Sequence, residues 1–222
     1  MMEEIFNESK SKLDEIAVTL LEESVNEILS TKDSVVIGLC GGESVQGFYN
    51  LLKKSKLPWS KIHIFMVDER LVDLKHKDSN YRMVYGEFIY KIENSKLISP
   101  ENLHPFLVSK DKEDKGLADY KDELEIWGGS FDIVILSSGE DGHVASLFPD
   151  MSVKDRSDSF ILVNNSPKLP KGRITASRKL IQKSSVAFLF FIGEEKKGAL
   201  EKFYDEKISE IKCPAPGPPI NP

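Results

Sequence analysis

Ser34-Val-Val-Ile-Gly-Leu-Cys40 runs straight into Gly41-Gly42, and from Ser44 to Lys54 the apolar residues Val45, Phe48, Tyr49 and Leu52 recur at helical spacing. A β-branched apolar run of this length, bounded by Asp33 and a glycine pair, predicts a buried strand that ends in a tight turn. A helix follows it. Upstream, Leu13, Ile16, Ala17, Leu20, Leu21, Val25, Ile28 and Leu29 fall on one face of a helix over Lys12 to Leu29. The pattern is helix, strand, glycine turn, helix.

The unit recurs downstream. Lys61 to Val67 predicts a strand that ends in Asp68-Glu69-Arg70, then a polar loop through Asp73, Asp78, Ser79 and Asn80, then a helix from about Tyr81 to Ile92. Glu113 to Trp127 predicts a helix through Leu117, Tyr120, Leu124 and Trp127. Phe131 to Leu136 predicts a strand ending in Ser137-Ser-Gly-Glu-Asp-Gly-His143. Phe160 to Val163 and Val186 to Ile192 are further runs of strand length, with a short helix over Ser177 to Ser184 between them. Glu194 to Tyr204 is helical. Strands that alternate with helices predict an α/β fold with right-handed crossovers, its mainly parallel central sheet covered by helices on both faces.

At 222 residues, without an evident linker or fixed-period repeat, residues 1–222 are expected to form one domain. The proline-rich stretch 213–222 is expected to be a terminal arm, because it suits neither a helix nor a central strand. Two cysteines, Cys40 and Cys213, make no disulfide framework and no metal-ligand spacing, so a reducing, cytoplasmic compartment and no metal are expected. The start Met1-Met2-Glu3-Glu4 lacks a basic segment followed by an apolar run, so no secretory signal is expected. No apolar stretch suits a bilayer. A net charge of −6 argues against nucleic acid as a partner, yet a few local cations suffice for one small phosphate.

Ligands of such sheets bind beyond the carboxyl ends of the strands, and four polar clusters are expected there. Gly41 and Gly42 allow close backbone approach, and N–H groups at the next helix start can hold a phosphate. A plain tight turn explains them equally well, and Glu43 would repel an anion. Arg70 has the shape for bidentate phosphate binding, or for a surface pair with Asp68 or Glu69. His143 can take a proton from water near neutral pH, with Asp141 placed to orient it. A capping histidine beside an Asp-Gly turn would read the same. The fourth cluster is Gly193-Glu-Glu-Lys196. His63 is expected to pack within its strand, and His76 and His104 to lie in loops.

Together, Gly41-Gly42, Val67-Asp-Glu-Arg70, Ser79-Asn80, Gly139-Glu-Asp-Gly-His-Val-Ala-Ser-Leu-Phe-Pro149, Arg173-Ile-Thr175 and Gly193-Glu-Glu-Lys196 resemble the 6-phosphogluconolactonases of the glucosamine-6-phosphate isomerase/6-phosphogluconolactonase family. The segment from Asp141 to Pro149 is the most specific. The resemblance implies a Rossmann-like three-layer fold and hydrolysis of a phosphorylated sugar lactone in the oxidative pentose phosphate pathway. It implies no cofactor, and a functional coupling to glucose-6-phosphate dehydrogenase. It also implies His143 as general base assisted by Asp141, and Arg70 and Lys196 as phosphate ligands, with Arg173 as a third cation. Gly41, Gly42 and Ser44 would shape the substrate loop, with Asp68 and Asn80 in the pocket.

Two departures stand out. The usual GGSTP-like loop reads Gly41-Gly-Glu-Ser-Val45, and Ser137 replaces the first glycine of GxGxDGH. The deaminases of the same family continue after the histidine toward a glutamate in AFNEP, and carry MDEY rather than VDER. Here Ala145 to Pro149 holds no acid, which disfavours that activity. The altered loop leaves a non-catalytic phosphosugar-binding module as a third reading.

Overall fold

A computed structural model describes residues 3–150, 157–205, 207–209 and 212–214. Five parallel strands form the central sheet in the order β4-β2-β1-β5-β8: β1 is Val35–Leu39, β2 Ile62–Met66, β4 Leu103–His104, β5 Ile133–Ser137 and β8 Val186–Phe190. All five residues of β1 and of β2 are buried, as strands covered on both faces must be. The alternation of side chains divides the core in two. Val35, Ile37, Leu39 and Ile64 pack on one face against Leu21 and Val25 of α1 (Lys10–Leu29) and Phe48 and Leu52 of α2 (Gln46–Leu52). The same face receives Val84, Phe88 and Ile92 from α3 (Asn80–Val84), a π-turn and α4 (Tyr90–Asn94), which run as one helix. Val36, Phe65, Val134 and Leu136 face the other way, onto α5 (Leu117–Ile126) and α6 (Arg178–Gln182).

The second face also carries a small antiparallel sheet, β3-β7-β6, that the periodicity does not predict. Here β3 is Asp68–Arg70, β6 Phe160–Val163 and β7 Arg173–Ala176. Phe160 to Val163 therefore leaves the parallel sheet expected of it. Only residues 164–172 join β6 to β7, and a parallel crossover needs about a dozen or more. The polar triplet Asp68-Glu69-Arg70 likewise leaves β2 after Val67 and pairs with β7, Arg70 opposite Arg173. The helix α7 (Lys197–Tyr204) closes the chain. Most of the expected terminal arm lies outside the described residues. Of it, Cys213 is buried against Val144, and the Pro214 carbonyl accepts a hydrogen bond from Arg178 Nη1 at 3.1 Å. Among the described residues, no helix is long and apolar enough to cross a membrane.

His104 lies in β4, not in a loop, and is buried with His63 of β2. Their Nδ1 and Nε2 atoms are 3.0 Å apart, His104 Nδ1 meets Glu123 at 2.8 Å, and His63 stacks on Trp127 at 3.4 Å. Burial, followed by the neighbouring His104, lowers the His63 pKa to about 4. An unfolded chain binds that proton near pH 6.5. Stability from a neutral His63 is therefore complete above about pH 6.5 and is lost as pH falls toward 4, on the order of 1–3 kcal/mol. Urea midpoints at pH 7, 5.5 and 4.5 test this: His63→Phe is expected to shrink the acid-side loss, and an unchanged loss would contradict it.

Candidate active site

The carboxyl ends of the central strands open into a cleft of about 480 Å³. Four turns meet there, as the strand-end rule requires. Those after β1 and β8 are built alike. Gly42 (φ 116°, ψ 156°) and Gly193 (φ 102°, ψ 150°) each adopt backbone that favours glycine, and each opens a 3-10 turn, Glu43–Val45 and Glu194–Lys196. Ser44 and Lys196 reach the cleft from these turns.

The turn after β5 holds His143. Gly139 N donates to the His143 carbonyl at 2.8 Å and Gly142, at φ 92°, donates to the Gly139 carbonyl at 3.1 Å. His143 Nδ1 lies 2.5 Å from Asp141 Oδ1, which also accepts the His143 backbone N–H at 3.3 Å. A carboxylate only accepts, so the Nδ1 proton is shared with Asp141 and the lone pair sits on Nε2. The ring also packs on Phe148, with centroids 4.7 Å apart. Burial lowers the His143 pKa, outweighing the hydrogen bond to Asp141 that raises it, so the imidazole stays unprotonated at neutral pH. Burial raises the Asp141 carboxyl, but its bonds to His143 prevail and hold it below the ordinary range.

Gly139 is what admits the ring. A Cβ there would overlap His143 Nδ1 and Cε1 and lie 2.7 Å from Asp141 Oδ1. Gly139→Ala must therefore push the imidazole aside, and kcat is expected to fall about 100-fold, the size of effect of an ångström-scale misplacement. Steady-state kinetics on the folded variant check this; an unchanged kcat would show that the ring need not sit there.

Three separated segments are knitted together behind the cleft. Asp68, 3% exposed, accepts the Ser146 hydroxyl at 2.6 Å and Asn80 Nδ2 at 3.2 Å, and Ser146 N donates to the Thr175 hydroxyl at 3.2 Å. A Cβ on Gly41 would collide with the Asn80 amide, so glycine is needed for that approach. Glu69, fully buried, accepts the backbone N–H groups of Arg70, Asn80 and Tyr81, each at 2.7 Å, and the Ser79 hydroxyl at 3.0 Å. A carboxylate in that position caps α3 and is not available to a ligand.

Two of the cations stand side by side on the small antiparallel sheet. Arg70 and Arg173 are cross-strand partners, and two guanidinium groups side by side favour an anion between them. Arg70 Nη1 donates to the Asp78 carbonyl at 2.7 Å, while its Nε is buried without a partner among the described residues. Arg173, 4% exposed, uses Nε and Nη2 on the carbonyls of Pro170, Lys168 and Leu169 at 3.2–3.4 Å, and lies 5.7 Å over the Phe148 ring. Burial and then the charge of Arg70 lower its pKa. Arg173 is thus as much a brace of the 164–172 loop as a free cation.

The cleft gathers Arg70, Lys196, Arg173, Gly41, Gly42, Ser44, Asp68, Asn80 and His143. Asp141 is hydrogen-bonded to the His143 ring and is not among the residues that line the cleft. Sequence reasoning missed two lysines. Lys10, in the first turn of α1, donates to the Glu43 carbonyl at 3.2 Å, and Lys168 comes from the loop between β6 and β7. Glu43 is exposed at the rim, under Lys10. Among the described residues, no three His, Cys, Asp or Glu side chains converge to hold a metal ion.

Residues 8–218 match the family described as glucosamine-6-phosphate isomerases/6-phosphogluconolactonase. The chain belongs to that family. It is 37% identical over 180 residues to the 6-phosphogluconolactonase of Borreliella burgdorferi, an alignment spanning 81% of this chain and 77% of that protein. The crystal structure of 6-phosphogluconolactonase from Thermotoga maritima superposes with a TM-score of 0.76 at 27% identity, over 86% of this chain and 84% of the other. A monomeric glucosamine-6-phosphate deaminase superposes as well, with a TM-score of 0.79 at 21% identity over 95% and 90% of the two chains. The shared fold alone does not separate the two activities.

Proposed function

We propose that this chain hydrolyses 6-phospho-D-glucono-1,5-lactone to 6-phosphogluconate in the oxidative pentose phosphate pathway. The supporting observation is one cleft with an Asp-oriented, unprotonated histidine on one turn and a pair of guanidinium groups on another wall. The 6-phosphate sits against Arg70 and Lys196, with Arg173 behind them. This anchors the sugar ring with C1 toward His143. Nε2 takes a proton from a water molecule as its oxygen bonds to C1, and the carbonyl becomes an oxyanion. Collapse of that intermediate breaks the bond from C1 to the ring oxygen, which takes the proton back from the imidazolium. The new carboxylic acid then ionises. Asp141 holds the ring and stabilises its charged form.

A dehydrogenase acting at C1 of glucose 6-phosphate would supply this substrate. Cys40 and Cys213 are both buried and form no disulfide, as a reducing cytoplasm permits. The deaminase-like neighbour motivates a second reading, ring opening of glucosamine 6-phosphate with release of ammonia. In this chain the glutamate position of AFNEP is held by Phe148, whose ring packs on His143 with centroids 4.7 Å apart, so no acid stands there. The purified chain, given freshly generated lactone and glucosamine 6-phosphate in parallel, is expected to hasten loss of the first and release no ammonia from the second. Ammonia release without lactone hydrolysis would overturn the reading.

A further inference from the structure

We propose that Lys168 is a further catalytic group, its ammonium holding the lactone carbonyl oxygen while His143 drives water onto C1. The inference rests on the reading of the site given above.

The reaction builds charge at two ends of one small molecule. The phosphate end has its cations on β3, β7 and the turn after β8. Lys10 is held to the Glu43 carbonyl. At the histidine end the oxyanion formed on C1 also needs a positive partner, and of the cations lining the cleft it is Lys168 whose charge bears on both His143 and Asp141. It lines the cleft with Gly139, His143 and Ala145.

Its position is set by its backbone. Ser166 N donates to the Lys171 carbonyl at 3.0 Å, closing the loop. The buried Ser166 hydroxyl donates to the Lys168 carbonyl at 2.9 Å and receives the Lys168 N–H at 3.2 Å. Buried Arg173 donates to the same Lys168 carbonyl at 3.4 Å. The side chain alone is left to move, and no carboxylate pairs with it among the described residues. Its charge acts on both members of the catalytic pair. It adds to burial in lowering the His143 pKa, and it helps hold Asp141 ionised. A cation here serves the base in the ground state and the oxyanion in the transition state. Because the carbonyl oxygen gains most of its charge only in the transition state, the contribution belongs in kcat.

The test compares the full chain with Lys168→Met and Lys168→Arg, using fresh lactone with the spontaneous rate subtracted and inorganic phosphate as competing anion. Lys168→Met is expected to lower kcat about 10- to 100-fold, somewhat less than a rigid oxyanion donor would. KM and inhibition by phosphate should stay within about 2-fold. The acid limb of the rate profile should move to higher pH, and Lys168→Arg should recover part of the rate. An unchanged kcat would overturn the proposal. So would a loss confined to KM with weaker phosphate inhibition, which would make Lys168 a phosphate ligand. A wild-type chain that leaves lactone loss at its spontaneous rate would instead overturn the reading of the site itself.

Discussion

His143→Ala is expected to lower kcat for lactone hydrolysis by about 100- to 10,000-fold, the range that a positioned general base supplies. KM should change little, because the proposed phosphate anchors stand on other elements: Arg70 on β3 and Lys196 after β8. The fold should survive. The ring is only partly buried, and among the described residues its side-chain hydrogen bond is to Asp141, itself half-buried. Initial rates with fresh lactone, after subtraction of spontaneous hydrolysis, measure this. Full activity in the variant would mean that water is activated by some other group.

Arg70→Ala is expected to act on binding. Arg70 sits opposite Arg173, with Nη1 tied to the Asp78 carbonyl and Nε buried without a partner among the described residues. A buried donor in that state gains most when a phosphate oxygen arrives. Removing a charged partner of a desolvated anion costs about 2–5 kcal/mol, or roughly 30- to several-thousand-fold in kcat/KM. The loss should appear mainly as a raised KM and as weaker inhibition by inorganic phosphate. Glu69 is held by the backbone N–H groups of Arg70, Asn80 and Tyr81, so α3 should keep its cap. An Arg70→Ala enzyme with normal KM and normal phosphate inhibition would remove Arg70 from the anion site.

The central sheet was legible because β1, β2 and β5 are apolar runs too strongly marked to be anything else. The turns that carry His143 and Lys196 were legible because glycine marks their starts. The antiparallel sheet was not. Asp68–Arg70 is three polar residues long, too short to show a period, and Arg173–Ala176 becomes a strand only through pairing with its neighbours β3 and β6. Glu69 looked like a surface partner of Arg70, whereas burial and four donors make it a helix cap. Asp141 could serve sugar or imidazole on sequence alone; its Oδ1 lies 2.5 Å from His143 Nδ1, which supports the orienting role proposed for it. Lys10 and Lys168 carry no local signal: one is a polar residue at a helix start, the other a lysine in a Pro-rich loop. Only long-range folding brings either to the cleft.

The pH dependence of kcat/KM tests the account of His143 most directly. Burial lowers its pKa, so the unprotonated base persists below the ordinary histidine value of about 6.5. Activity should be full at pH 7 and fall on the acid side along a single limb whose midpoint lies under 6.5, with circular dichroism confirming a folded chain across the range. A rate that stays flat through that range, or a limb centred above pH 7, would contradict the assignment of His143 as the base.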